Sequence, residues 1–124
     1  MSKFSPSQPE NPNWISAHEE IYRAFKNRQA NMEGRARVCA RRAAGLAFLA
    51  AGLCESPTLA GIRQAISNYD LPDDILQICS NLMQPVNKHY NLDTGSDLLL
   101  DVNRLIDRLE NQDLLIQSRI DGND

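Results

Sequence analysis

The stretch "EGRARVCARRAAGLAFLAAGL" (Glu33–Leu53) decides the fold of this chain. It carries four arginines in its first half and is otherwise dominated by alanine, leucine and other apolar residues. Alanine, leucine and arginine are strong helix formers, so the stretch predicts one long helix over about residues 35–53, with Gly34 breaking the chain before it. Its strongly apolar run, Ala43–Leu53, is much shorter than the roughly 20 residues that span a bilayer. We therefore expect a buried core helix and no membrane segment.

A helical wheel divides this segment into three arcs. One arc holds aliphatic and thiol side chains: Val38, Cys39, Leu46, Leu49 and Leu53. A second arc holds small residues that would let a neighbouring backbone come close: Ala36, Ala40, Ala43, Ala44, Ala47 and Ala51. The third arc places Arg37, Arg41 and Phe48 toward solvent. Arg42 falls inside the leucine arc, and an unpaired buried charge is costly, so we expect Arg42 to pair with a carboxylate, cap carbonyls, or line a cleft or subunit interface.

Caps, prolines and apolar spacing predict four further helices, near residues 14–31, 57–68, 72–89 and 96–111. Ser16, with Glu19 three residues later, is typical of a capping box at the start of the first. Ser56 as N-cap and Pro57 at the first helical position predict the start of the third. Pro85 should kink the fourth helix or end it one turn early, because proline lacks an N–H and clashes with the preceding turn.

These elements predict an all-α protein, an antiparallel bundle of four to five helices, since no stretch shows the strict alternation of a half-buried strand. A chain of 124 residues suits one domain. We assign residues 13–117 to that domain. Residues 1–12 are rich in Pro, Ser and Asn without the apolar core of a signal peptide, and we expect a flexible arm there. Residues 118–124 are expected to be a frayed C-terminus.

Cysteine and glycine usage argues against several kinds of site. Cys39, Cys54 and Cys79 form no CxxC pair and no Cys/His cluster, so we expect buried free thiols, a reducing cytoplasmic location, and no metal or cofactor. The glycines form no phosphate-binding loop. Gly45 and Gly52, seven residues apart, are better explained by close helix packing.

Charge is distributed unevenly along the chain, whose formal net charge is -3. From Arg23 to Arg42 there are seven basic residues and one acid, whereas from Asp93 to Asp124 there are eight acids and three arginines. This asymmetry favours a surface for an anionic protein or RNA partner, or two complementary surfaces that meet within the monomer or across a homodimer. A solvated, internally compensated pattern is the third interpretation. The candidate partner-binding residues are Arg35, Arg37, Arg41, Arg42, Lys88 and His89.

The helix "GRARVCARRAAGLA", the helices after it, and the amphipathic helix that follows "KHYNLD" resemble the HEPN-like helical bundles over about residues 14–112. Catalytic members of that superfamily are metal-independent ribonucleases, usually dimers, with an Arg followed after four to six residues by a His. This chain departs from that motif, because no Arg precedes His18 and the nearest Arg before His89 is Arg63. The resemblance therefore implies the scaffold and a dimer, with a binding or assembly role like that of non-catalytic members.

Two functions follow from these observations. The first is a small helical binding or assembly module, a non-catalytic homodimer whose basic helix faces an anionic partner. The alternative is a ribonuclease-like enzyme with a rearranged site around Arg42 and His89. Lys88 and His89 could equally be an exposed helix end, where cations interact favourably with the helix dipole.

Overall fold

The computed structural model describes residues 11–84, 97–111 and 117–118, and over these ranges the chain is all-α, which confirms the predicted fold class. The helices are α1 (Pro12–Gln29), α2 (Glu33–Ala50), α3 (Leu59–Asn68), α4 (Asp73–Met83) and α5 (Leu98–Glu110). Two short strands, β1 (Tyr69–Asp70) and β2 (Gln117–Ser118), pair antiparallel. This pairing was not expected from the sequence. It places the segment after α5 beside the end of α3.

Side-chain caps begin α1, α3 and α5, and those of α1 and α3 differ from the predicted ones. The side chain of Asn11 accepts the backbone N–H two residues on, at 2.8 Å, and so begins α1. Ser16 therefore lies inside the helix, and the predicted capping box is wrong. Thr58 begins α3 by accepting the N–H three residues on, at 3.2 Å, so the cap is not Ser56. Both caps have extended backbone, as N-cap residues do.

Helix α4 ends at Met83, and Gln84 has extended backbone (φ -80, ψ 143). The residue before a proline is biased away from helical backbone, so Pro85 explains this end. This is the early termination that the sequence predicts. The rest of the predicted fourth helix, residues 85–89, lies outside the described residues.

Helix α2 is the centre of the core and contacts α1, α3 and α5. Its small residues are fully buried, as predicted: Ala36, Ala40, Ala43, Ala44 and Ala47. Because these side chains are short, a neighbouring helix backbone can come close to α2. The other helices contribute the larger buried side chains, among them Trp14, Ile21, Ile62, Ile75, Leu98 and Leu105.

The predicted phase of α2 is wrong for four residues, Arg37, Val38, Arg42 and Phe48, although Cys39 and Leu53 of the aliphatic arc are buried as expected. The wheel places Arg37 and Phe48 toward solvent, but Arg37 is 3% exposed and Phe48 is fully buried. The wheel places Arg42 among buried leucines, but Arg42 is exposed and Val38 is 49% exposed. The physical reason is that tertiary neighbours decide which side of the alanine arc is covered. In this chain the covered side is the one that carries Phe48.

Gly45 allows a close approach, although by a loop and not by a helix. A Cβ at this position would lie 2.5 Å from the carbonyl oxygen of Pro57 and 2.6 Å from its carbonyl carbon. Only glycine fits there without a backbone shift. Gly52 has a different role, because its φ of 80° is the left-handed conformation of the turn that follows α2. The three cysteines are buried and free, as predicted.

Candidate anion-binding groove

An open groove of about 520 Å³ lies between α1 and α2. The two helices form a hairpin whose turn contains Asn31 in a left-handed conformation (φ 62), so the end of α1 lies beside the start of α2. Two helix faces line the groove: Arg23, Lys26 and Asn27 from α1, and Arg35, Val38, Cys39 and Arg42 from α2. We refer to these seven residues as the basic groove.

Four of the seven lining residues are cationic. The charge of Arg23 is paired within α1, because its Nη1 donates to the Glu20 carboxylate at 2.6 Å. Within the described residues, no ion pair joins Lys26, Arg35 or Arg42 to a carboxylate. The basic groove therefore carries a local excess of positive charge in a chain that is acidic overall.

The acid nearest to the groove in sequence does not neutralise it. Glu33 accepts two hydrogen bonds from Arg28, at 3.0 and 2.8 Å. Arg28 is not among the groove residues. Hydrogen bonding to Glu33 raises the pKa of Arg28 above its ordinary value, a hydrogen bond to Asp97 adds to the rise, and burial opposes it.

The least exposed residues that line the groove, Asn27 and Cys39, are uncharged. The Asn27 amide donates to the carbonyl oxygen of Arg23 at 3.0 Å and to the Sγ of Cys39 at 3.7 Å. Burial raises the pKa of the Cys39 thiol, and the nearby Glu20 carboxylate raises it further. Because the thiolate is the nucleophilic form, this environment does not activate Cys39. Asn27 offers a hydrogen-bonding amide and Cys39 an apolar surface, whereas the four exposed cations of the groove offer charge.

The structure divides the predicted site residues into separate places. Arg35 and Arg42 line the basic groove, so Arg42 lies at a cleft, which is one of the three roles expected for it. Arg37 and Arg41 lie away from it, and Lys88 and His89 fall outside the described residues. The prediction did not include Arg23 and Lys26, although both belong to the basic run from Arg23 to Arg42. Their signal was the i,i+3 spacing on α1, which places both cations on one helix face.

Arg37 and Arg41 belong to the buried side of α2. Burial lowers the pKa of Arg37 below its ordinary value, and the charge of Arg41 lowers it further. Burial also lowers the pKa of Arg41. The Nε of Arg41 donates to the carbonyl oxygen of Leu82 in the last turn of α4, at 3.2 Å. This arrangement caps a carbonyl of α4, which is a structural role.

A second, smaller groove of about 310 Å³ lies between α1 and α5. It is lined by His18, Leu100, Asn103, Arg104, Ile106 and Asp107. His18 Nε2 lies 2.7 Å from the Glu110 carboxylate, and this contact ties α1 to the end of α5. Both signs of charge line this groove, so it has no clear preference for an anion or a cation.

Comparison of the chain with protein-family models, with curated proteins and with solved structures finds no match. Over the described ranges, no group of histidine, cysteine and acidic side chains could hold a metal ion. In the same part of the chain, every helix is too short or too polar to cross a membrane.

Proposed function

We propose that the chain is a small helical binding module that takes an anionic partner in the basic groove. One observation carries this proposal: Lys26, Arg35 and Arg42 converge on one open cavity, and none has a carboxylate partner among the described residues. Like charges held close together repel one another, so an anion that enters the groove relieves repulsion and gains hydrogen bonds.

A non-catalytic role fits the chemistry of the groove. Its polar groups are three guanidinium groups, one ammonium, one amide and a thiol whose pKa is raised. These groups recognise carboxylates or phosphates, but none of them is a histidine or a carboxylate that could act as a general base. The resemblance to HEPN-like bundles, whose non-catalytic members act as binding or assembly partners, supports the same role.

The proposal includes a cytoplasmic homodimer. Leu100, a large apolar side chain on α5 outside the basic groove, is 58% exposed. A large apolar side chain that is left exposed on a helix is available for a contact between two copies of the chain. The free thiols at Cys39, Cys54 and Cys79 favour a reducing compartment. Light scattering at tens of micromolar tests the dimer, and a monomer mass would contradict it.

The binding proposal is tested with two unrelated labelled polyanions, polyglutamate and oligothymidylate, titrated into the full chain. We expect at least one to bind, with an affinity that falls as salt increases. Arg42→Gln should weaken binding roughly three- to tenfold, since it removes one exposed charge.

Arg63→Gln is the matched control, because Arg63 is an exposed arginine on α3 and lies outside the groove. It should leave the affinity unchanged. Equal weakening by both variants would mean that the overall charge, and not the groove, attracts the polyanion. Failure of both polyanions to bind would contradict the proposal.

A further inference from the structure

The α2 side of the basic groove alternates exposed apolar and basic side chains. Val38, within the groove, is 49% exposed, and Met32, the N-cap residue of α2 outside the groove, is 44% exposed. Arg35 lies between them and Arg42 follows one turn after Val38. Arg35, Val38 and Arg42 have i, i+3, i+7 spacing, so they form one stripe about 10 Å long. A large aliphatic side chain exposed between two cations indicates a partner with both apolar and acidic groups.

The shape of the groove favours an extended partner over a small molecule. Sites for small molecules enclose most of the ligand surface. The basic groove is open to solvent, and the described residues that line it come from two helices. A partner that lies along the groove can contact both helix walls, whereas a small ligand would leave much of its own surface in water.

The lining argues against nucleic acid as the partner. Proteins that hold single strands stack bases on aromatic side chains, and none of the described residues that line the basic groove is aromatic. Tyr22 is exposed nearby on α1, but the Lys26 ammonium lies 5.7 Å from its ring centroid and occupies that face. On the α1 wall, Arg23 is already paired with Glu20. This pairing weakens the attraction of the α1 wall for any anion, so the α2 side supplies the main contacts.

We propose that the partner of the basic groove is an acidic amphipathic helix of another protein. An aliphatic side chain of that helix packs on Val38, and carboxylates one turn to either side pair with Arg35 and Arg42. Helix-in-groove recognition uses this i, i+3, i+4, i+7 spacing of anchors. Arginine suits the flanking positions because its planar guanidinium binds a carboxylate in a bidentate way. This inference rests on the proposed function, since it requires an anion to occupy the groove.

The test compares three labelled probes on the full chain. The first is a helix-forming peptide of about 15 residues built from Glu, Ala and Leu, with Leu at three- and four-residue spacing. The second has the same charges, with every Leu replaced by Gln. The third is oligothymidylate. We expect the Leu peptide to bind about fivefold or more tightly than the Gln peptide, because only the Leu peptide buries apolar surface against Val38.

Val38→Ser should weaken binding of the Leu peptide roughly three- to tenfold and leave the affinity for the Gln peptide unchanged. The control Ile15→Ser removes an equally exposed aliphatic group from α1 outside the groove, and it should change neither affinity. Because Val38 and Ile15 are both exposed, both variants should fold, and circular dichroism verifies this.

The outcomes separate this inference from the proposed function. Equal affinity for the two peptides, or no effect of Val38→Ser on either, overturns the proposal that the partner is an amphipathic helix. Tighter binding of oligothymidylate that is weakened by Arg42→Gln also overturns it and leaves the anion-binding groove intact. If no probe binds, or if Arg42→Gln affects none of them, both proposals fail.

Discussion

Arg28, in the last turn of α1, donates two hydrogen bonds from Nη1 to the carboxylate of Asp97, at 3.1 and 2.8 Å. Asp97 is also the N-cap of α5, and its Oδ1 accepts the backbone N–H groups of Leu99 and Leu100 at 3.0 and 3.2 Å. Because Arg28 binds Glu33 of α2 at the same time, one guanidinium links three helices. This junction fixes the α1–α2 hairpin that carries the basic groove.

Substitution of Asp97 separates its two roles. Asp97→Ala removes the cap and the ion pair, and we expect a loss of about 2 kcal/mol in the free energy of unfolding. Asp97→Asn keeps a good N-cap and removes only the charge, so its loss should be about 1 kcal/mol or less. Urea denaturation measures both. Equal losses would mean that the N-cap contributes nothing and that the lost charge accounts for the whole effect.

The Asp97 ion pair also predicts how stability depends on pH. Burial alone would raise the pKa of Asp97, but the hydrogen bonds from Arg28 and the α5 backbone outweigh it and lower the pKa. The contribution of Asp97 is therefore complete above about pH 4, the ordinary aspartate pKa, and declines as the pH falls through the lower folded value. The difference between wild type and Asp97→Asn should shrink below about pH 4. A constant difference at acid pH would contradict this.

Gly45→Ala should destabilise the chain even though alanine is the better helix former. The exchange would gain about 1 kcal/mol in an open helix. Here the new Cβ would meet the backbone of Pro57 at 2.5 Å, and overpacking of this kind costs roughly 1–3 kcal/mol or more. We expect a net loss in thermal and urea melts, with Gly45→Ser losing more. A stabilised Gly45→Ala variant would show that the loop before α3 moves aside at little cost.

Sequence patterns predicted the helices well because local chemistry sets them. The alanine arc of α2 and the stop before Pro85 are local features, and both are found in the structure. The phase of α2 could not be derived in this way. Val38 and Phe48 are both apolar, and only the position of the neighbouring helices decides that Phe48 is buried and Val38 is exposed. The pairing of β1 with β2 is likewise a long-range contact between two-residue segments that have no strand pattern.

The three thiols should react slowly in the folded protein. Burial raises the pKa of Cys79 to about 12 and also raises the pKa values of Cys39 and Cys54. Because the thiolate is the reactive form, a chromogenic disulfide reagent at about pH 8 should label the native chain slowly and the urea-unfolded chain at all three cysteines. Cys79 should react most slowly. The variants Cys39→Ser and Cys54→Ser show which of the other two labelling rates belongs to each thiol. Native Cys79 reacting at the unfolded rate would contradict its burial.

The candidate site could be predicted only in part. The sequence places Arg35 and Arg42 in a basic run, and both line the groove. The same run includes Arg37, which is buried, and Arg41, which is half-buried and donates to a carbonyl oxygen of α4. A count of charges along the chain cannot separate these two pairs, because the difference lies in which side of α2 the other helices cover. The i,i+3 spacing places Arg23 and Lys26 on one face of α1, but only the hairpin shows that this face lies beside α2.

Arg37 and Arg42 should therefore have opposite roles, one in stability and one in binding. Arg37 is 3% exposed, so its long aliphatic stem and its guanidinium are both part of the packed interior. We expect Arg37→Ala to lower the free energy of unfolding by about 2–4 kcal/mol. Arg37→Met, which keeps most of the volume, should lose less. Arg42→Ala should change stability by no more than about 0.5 kcal/mol, because its side chain is exposed.

Binding of labelled polyglutamate completes this test. Arg42→Ala should weaken binding, and raising the salt concentration should reduce the difference from wild type, because the lost interaction is an exposed charge pair. Arg37→Met, which removes a charge outside the groove, should leave the affinity unchanged as long as the variant is folded. Urea melts of the three variants and titrations at two salt concentrations measure both effects. If Arg42→Ala costs more stability than Arg37→Ala, then Arg42 is the buried arginine, and the basic groove loses the residue on which the binding proposal most depends.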